Sequence, residues 1–210
     1  MNRRNLLAAL ALIAIATRAR AQIHAAVLSD ADQATLVQVS AYLNSLRTLQ
    51  ARFLQIGPDG ATTRGNVWLD RPGRMRFQYD PPSPLLLVAG HGVVIFHDSQ
   101  LDQTTTIALT QTPLGLLLAD TVTLSGPGAG DITVTDFQRP PGQIQITLVR
   151  TKTPGDGSLT LSLNAAPLAL TGWSVVDAQG RETRLLMSNI RLGGSFDPAL
   201  FTFTDPDGGK

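Results

Sequence analysis

At 210 residues, 43% of them hydrophobic and 16% charged, the chain is long enough to bury a sizeable core. It contains no cysteine, which excludes disulfide bracing, a thiol nucleophile and a lipid-modified cysteine anchor. With 17 Lys and Arg against 16 Asp and Glu it has no cationic block to neutralise phosphates, so nucleic acid is excluded as a partner.

Arg3 and Arg4 precede an apolar run over 6–16, and Ala19-Arg20-Ala21 offers small residues for cleavage. Residues 1–21 read as an export signal and 22–210 as a single mature domain, because an apolar run of about 11 residues falls well short of the roughly 20 that span a bilayer. The start Asn2-Arg3-Arg4-Asn5-Leu6-Leu7 partly fits a twin-arginine signal, which leaves the Sec and twin-arginine routes both open. Cleavage removes four arginines and no acids, so 13 cations face 16 anions and the net charge moves from +1 to −3.

The first element of the mature chain is a helix. Leu36, Val39, Leu43 and Leu46, flanked by Val37, Tyr42 and Leu49, keep helical spacing over 30–50, with Ser29 or Asp30 as N-cap. From there period two takes over. Strands are expected near 51–57, 62–70, 74–80, 85–89, 92–97, 103–109 and 131–138. Four more follow: around Ile144, Ile146 and Leu148, around Leu159, Leu161 and Leu163, and over 168–177 and 182–192. Gly57-Pro58-Asp59-Gly60, Gly90-His91-Gly92, Pro154-Gly155-Asp156-Gly157 and Asp177-Ala178-Gln179-Gly180 supply turns. About eleven sequential strands make a mostly β (α+β) chain with one large curled antiparallel sheet. A short second helix is expected over 112–119, with Pro113 at its start. Leu114, Leu116, Leu117 and Leu118 are too apolar for an exposed helix, which places them over the open side of the sheet, either as a plug or as a removable lid.

Candidate chemistry is sparse. His91, His97, Asp98 and Asp102 are the best candidates for a metal or acid–base group, yet they match no ligand spacing and read as turn and sheet-surface residues. No nucleophile elbow, zinc-protease pair or phosphate loop occurs, and Asp59, Asp70, Asp80, Asp156 and Asp177 fall in turns. No catalytic residue, metal or cofactor is therefore expected, and the chain does not read as an enzyme. The stretch from Trp68 to Pro82 carries more information. Val67, Leu69 and Arg71 share one strand parity, so an arginine ends an apolar row. Either its stem covers apolar surface while its head reaches water, or its five donors reach across the rim to carbonyls of a covering helix. The stripe Trp68, Met75, Phe77 and Tyr79 is either core or the wall of a cavity.

A set of short motifs runs along the chain in order: Phe53-Leu54-Gln55, Gly65-Asn66-Val67-Trp68, and Arg71-Pro72-Gly73-Arg74-Met75-Arg76-Phe77-Gln78-Tyr79. Phe96-His97-Asp98, Leu101-Asp102-Gln103-Thr104, Thr112-Pro113 and Phe201-Thr202-Phe203 continue the series. With these anchors in family order the chain resembles the LolA family of periplasmic lipoprotein carriers. The resemblance implies an incomplete, strongly curved antiparallel β-barrel closed by a helical lid over a hydrophobic cavity. In such a carrier Arg71 would latch the lid, and Pro113, Leu114, Leu116, Leu117 and Leu118 would form it. Val67, Leu69, Met75, Phe77, Tyr79, Leu86, Val88 and Ile95 are the candidate lining for acyl chains. The implied partners are acylated lipoproteins, an inner-membrane lipoprotein-releasing ABC transporter, and an outer-membrane receptor or the outer membrane itself, met in the periplasm by a monomer. The chain departs from the family pattern at His91 and His97. A lipid- or glycolipid-binding or envelope-sensor module on the same half-barrel is the alternative.

Overall fold

The computed structural model describes residues 24–204, so the export segment read over 1–21 lies outside the described residues. Helix α1 (Asp30–Ser45) comes first. Ser29 and Asp32 form a reciprocal cap: the Asp32 N–H donates to Ser29 Oγ at 3.2 Å and the Ser29 N–H to Asp32 Oδ2 at 3.1 Å. Leu36, Val39 and Leu43 make its buried face. The helix stops earlier than its apolar spacing implies, because Leu46 is already extended and Leu49 belongs to a strand. That strand is hydrogen-bonded on both sides, and ladder bonding to two neighbours outweighs a helical pattern that fits only by spacing.

Eleven strands follow among the described residues: β1 (Thr48–Ile56), β2 (Thr62–Asp70), β3 (Arg74–Tyr79), β4 (Leu85–Gly90), β5 (Val93–Asp98), β6 (Gln103–Ala108), β7 (Ile132–Gln138), β8 (Gln143–Arg150), β9 (Ser158–Ala165), β10 (Leu168–Val176) and β11 (Glu182–Leu192). They form one antiparallel sheet in the order β6-β5-β4-β3-β2-β1-β11-β10-β9-β8-β7. Every neighbouring pair is consecutive in the chain except β1 with β11, which joins the two ends. Strands β6 and β7 are its two edges and do not pair, so the sheet stays open. The edge of β7 receives one further bond, from the Ala26 N–H to Val134 O at 2.9 Å. No described helix is long and apolar enough to cross a membrane.

Register fixes which side chains face inward. Leu49, Ala51 and Phe53 oppose Leu69, Val67 and Gly65, which in turn oppose Met75, Phe77 and Tyr79 across β3. On the other half Leu159, Leu161 and Leu163 oppose Leu148, Ile146 and Ile144. These rows join one apolar cluster with α1, so the sheet wraps around its cover. Phe53 meets Phe77 and Tyr79 edge-on, each ring centroid 5.2 Å away.

The same register corrects part of the expected lining. Phe77 opposes Leu87, and Met75 opposes Ala89, which turns Leu86 and Val88 to the outer face beside Gln78 and Arg76. Ile95 opposes Val88 and lies there too, as does Trp68 opposite Arg76. These residues are apolar because the outer face of β3–β5 has its own cover. The turn Pro198–Phe201 packs on it, Arg76 Nη1 donates to Leu200 O at 3.2 Å, and the Phe203 ring lies 5.1 Å from that of His97. Strands covered on both faces lose the alternation that would reveal their parity.

Tyr79 gives the concave side a measurable titration. It is buried, its hydroxyl donates to Gln55 Oε1 at 2.8 Å, and burial pushes its pKa from 10.0 up to about 12, with the Gln55 bond opposing the shift. A folded value above the unfolded one means that this stability is complete below pH 10 and is lost as pH rises from 10 towards 12. In thermal melts across that window, Tyr79→Phe is expected to show a shallower fall in melting temperature than the wild type. Equal slopes would refute the assignment.

Candidate functional site

The concave face is closed by two segments that sequence separation hides. The first is α1. The second is helix α2 (Leu114–Leu117), which follows Pro113 at its N-cap and carries Leu116, Leu117 and Leu118 into the core, each 3% exposed or less. Leu114 packs against the same cluster and is half-buried. Beyond α2 the chain runs along α1. Asn44 Nδ2 donates to Val122 O and its Oδ1 accepts the Val122 N–H, both at 2.9 Å. The Leu124 N–H donates to Ser40 Oγ at 3.0 Å. The two helices thus form one cover. Asn44→Ala leaves both backbone groups of Val122 without these partners, and an expected loss of about 1–2 kcal/mol is checked by the denaturation midpoint and by faster exchange of the Val122 amide.

Arg71 stands where β2, α1 and the α2 segment meet. It is 3% exposed, so its head points inward rather than to water. Nη1 donates to Leu43 O and, at 3.5 Å, to Leu46 O. Nε and Nη2 donate to Ala119 O at 3.2 and 2.6 Å, and Nη2 also reaches Asp120 O at 3.4 Å. Helix α1 has no basic residue in its last turn, so Arg71 brings from another element the cation and donors that a helix C-terminus attracts. Burial lowers its pKa from the ordinary arginine value, Arg47 adds to that, and Asp120 opposes it. The guanidinium remains charged. The adjoining turn adds backbone bonds, from the Arg71 N–H to Arg47 O at 2.8 Å and from the Gly73 N–H to Leu118 O at 2.9 Å. Gly73 makes the second possible by adopting a φ of +76°.

Below the cover lies a cavity of about 160 Å³ lined by Gln55, Phe77, Tyr79, Leu87, Leu114, Trp173, Val175, Thr183 and Leu185. Of the residues singled out in the sequence, Phe77, Tyr79 and Leu114 line it. Val67, Leu69 and Met75 lie on the same concave face, fully buried in the core. Leu86, Val88 and Ile95 are on the other side of the sheet. Leu87, Trp173, Val175 and Leu185 escaped the sequence reading, although Trp173 and Val175 alternate in β10 and oppose Leu161 and Leu159.

The histidines and acids are not brought together. His91 is exposed in the β4–β5 turn with φ of 51°, and Asp102 occupies the next hairpin turn with φ of 49°. His97 is buried on the outer face, 3.0 Å from Thr104 Oγ1, and Asp98 accepts the Gln100 and Leu101 N–H groups. Among the described residues no three His, Asp or Glu side chains are grouped to hold a metal.

Comparison with known proteins agrees with this architecture. The model of the family described as "Outer membrane lipoprotein carrier protein LolA" matches residues 44–204. An outer-membrane lipoprotein carrier protein of Methylococcus capsulatus is 32% identical over 190 residues, covering 86% of this chain and 88% of that protein. One from Pseudomonas aeruginosa is 32% identical over 191 residues, covering 86% and 89%. Among solved structures, a LolA superfamily protein from Nitrosomonas europaea aligns at 12% identity and a TM-score of 0.42, covering 80% of this chain and 97% of that one. The family match spans well over half of the chain, and its anchors coincide with the strands and turn that hold the cover: this chain belongs to the LolA family of outer membrane lipoprotein carrier proteins.

Proposed function

We propose that this protein is a periplasmic carrier that takes lipoproteins by their acyl chains as an inner-membrane ABC transporter releases them, and gives them up to an outer-membrane receptor or to the outer membrane itself. The observation that carries the reading is Arg71, a buried cation that holds a helical cover on an apolar concave face through backbone carbonyls. Bonds to carbonyls are re-formed by water when the cover moves, so they suit a reversible closure.

The energetics require such a vessel. An acyl chain of roughly 16 carbons costs about 0.8 kcal/mol per methylene in water, on the order of 12 kcal/mol per chain. With the cover in place the cavity, of about 160 Å³, is smaller than the roughly 300–1,000 Å³ of ordinary small-molecule sites. Loading therefore needs the cover to lift. The chains then replace Leu116, Leu117 and Leu118 against the concave wall, an exchange of apolar for apolar contact, and the latch decides the balance between closed and open populations. The protein does this as a monomer and without a catalytic step. The test is native mass spectrometry of the protein after incubation with inner-membrane vesicles that carry a triacylated lipoprotein, followed by transfer to outer-membrane vesicles. A one-to-one soluble complex that empties into the second vesicles is expected. A bound free lipid, or no bound mass at all, would defeat the reading.

A further inference from the structure

A second arginine repeats the pattern of the first on the opposite wall. In β8 the row Ile144, Ile146 and Leu148 shares one parity and faces the core, and Arg150 is its next member, opposite Ile132 on β7. Leu148 opposes Leu159, which opposes Val175 of the cavity lining, so Arg150 stands at the rim two strands from the hollow. Its side chain is 16% exposed.

Unlike Arg71, this guanidinium is poorly served while the cover is shut. Its Nε is buried with no hydrogen-bond partner among the described residues, and its ion pair with Asp131 spans 3.8 Å, beyond hydrogen-bond length. Its Nη2 is pressed against α2: a Cβ at Gly115 would lie 2.6 Å from Nη2 and 2.4 Å from Leu109 O, so only glycine fits there. Leu114, the neighbour of Gly115, lines the cavity. Lifting α2 would therefore open the hollow and free Nη2 in one movement, leaving Nε and Nη2 side by side at the head of an apolar wall. Two parallel guanidinium donors in that place call for oxygen acceptors at the top of a hydrocarbon chain.

We propose that Arg150 is the polar anchor of the loaded state, donating through Nε and Nη2 to the ester or amide carbonyl oxygens that join acyl chains to the cargo's terminal cysteine. The assignment rests on the carrier reading above and adds to it a residue that recognises the head rather than the tail. Two probes separate the contributions: a synthetic triacylated cysteinyl lipopeptide, which has both, and diphenylhexatriene, a pure hydrocarbon. In full-length mature protein Arg150→Met is expected to weaken lipopeptide binding about tenfold relative to diphenylhexatriene, the equivalent of one charge-assisted hydrogen bond. The ratio of the two affinities cancels any change in the ease of lifting the cover. If Arg150→Met fails to fold, Arg150→Lys, which keeps the charge and loses the parallel pair, is expected to shift the same ratio in the same direction. Equal shifts for both probes, or none, overturn the assignment alone. A wild-type protein that binds diphenylhexatriene and ignores the lipopeptide overturns the carrier reading and this assignment together.

Discussion

Arg71→Leu is expected to lower the melting temperature by roughly 10 °C, to admit a hydrophobic dye more readily, and to slow the hand-over of bound lipoprotein. The variant removes every side-chain donor to Leu43 O and Ala119 O and leaves those carbonyls under a leucine. Ala119 O is left without its side-chain donor, at a cost of about 1–3 kcal/mol, and Leu43 O keeps only the Leu46 N–H at 3.2 Å, so the total loss is on the order of 3 kcal/mol. A domain of this size moves by about 2–4 °C per kcal/mol. The functional consequence follows from the same loss. On the proposed carrier cycle these bonds belong to the shut form, so their removal is expected to raise the open population and tighten the hold on cargo. Arg71→Lys is expected to recover only part of the stability, because one ammonium cannot span the carbonyls of α1 and of the α2 segment as a planar fork does. Unchanged melting together with unchanged dye uptake would remove the latch from the argument.

The second large effect is at Gly65. A methyl group there would lie 2.1 Å from Gln78 O and 2.7 Å from two ring atoms of Phe53. The first obstacle is the backbone of the neighbouring strand and the second is a ring wedged between Phe77 and Tyr79, so neither can give way cheaply. Gly65→Ala is expected to cost at least about 3 kcal/mol, the upper end for overpacked cores. Gly155 is the control, since nothing lies within 4 Å of its added Cβ and its φ is not positive. Chemical denaturation of the pair decides the matter: similar midpoints for the two variants would show that the strands separate to accept a side chain.

The legibility of this molecule in its sequence follows the layers around each strand. Where one face is buried and the other wet, alternation reports the structure, as in β8 and β9, and the same reasoning placed Arg71 at the end of the inward row of Val67 and Leu69. Arg150 ends the row of Ile146 and Leu148 in the same manner and was open to the same inference. In β4 and β5 the rule fails for a physical reason. The turn Pro198–Phe201 covers the outer face, so apolar residues occupy both parities and Leu86, Val88 and Ile95 cannot be told from Leu87 and Val94 by pattern alone. The C-terminal end of α1 was misread because Leu46 and Leu49 continue a helical spacing into a strand. The tie between Asn44 and Val122 crosses 78 residues and has no local signature. The far wall of the cavity needed the pairing of β1 with β11, a long-range fact that no window of sequence contains.

On the proposed carrier reading, the open flanks of the sheet bear on how a guest of awkward girth would be admitted. A sealed cylinder would have to sever ladder bonds to dilate, whereas here the gap between β6 and β7 can gape like a cupped hand with every finger still joined to its neighbour. The stiffness that resists swelling therefore resides in the palm's covering rather than in the fingers, and on the proposed carrier reading one yielding frame would serve passengers of different bulk.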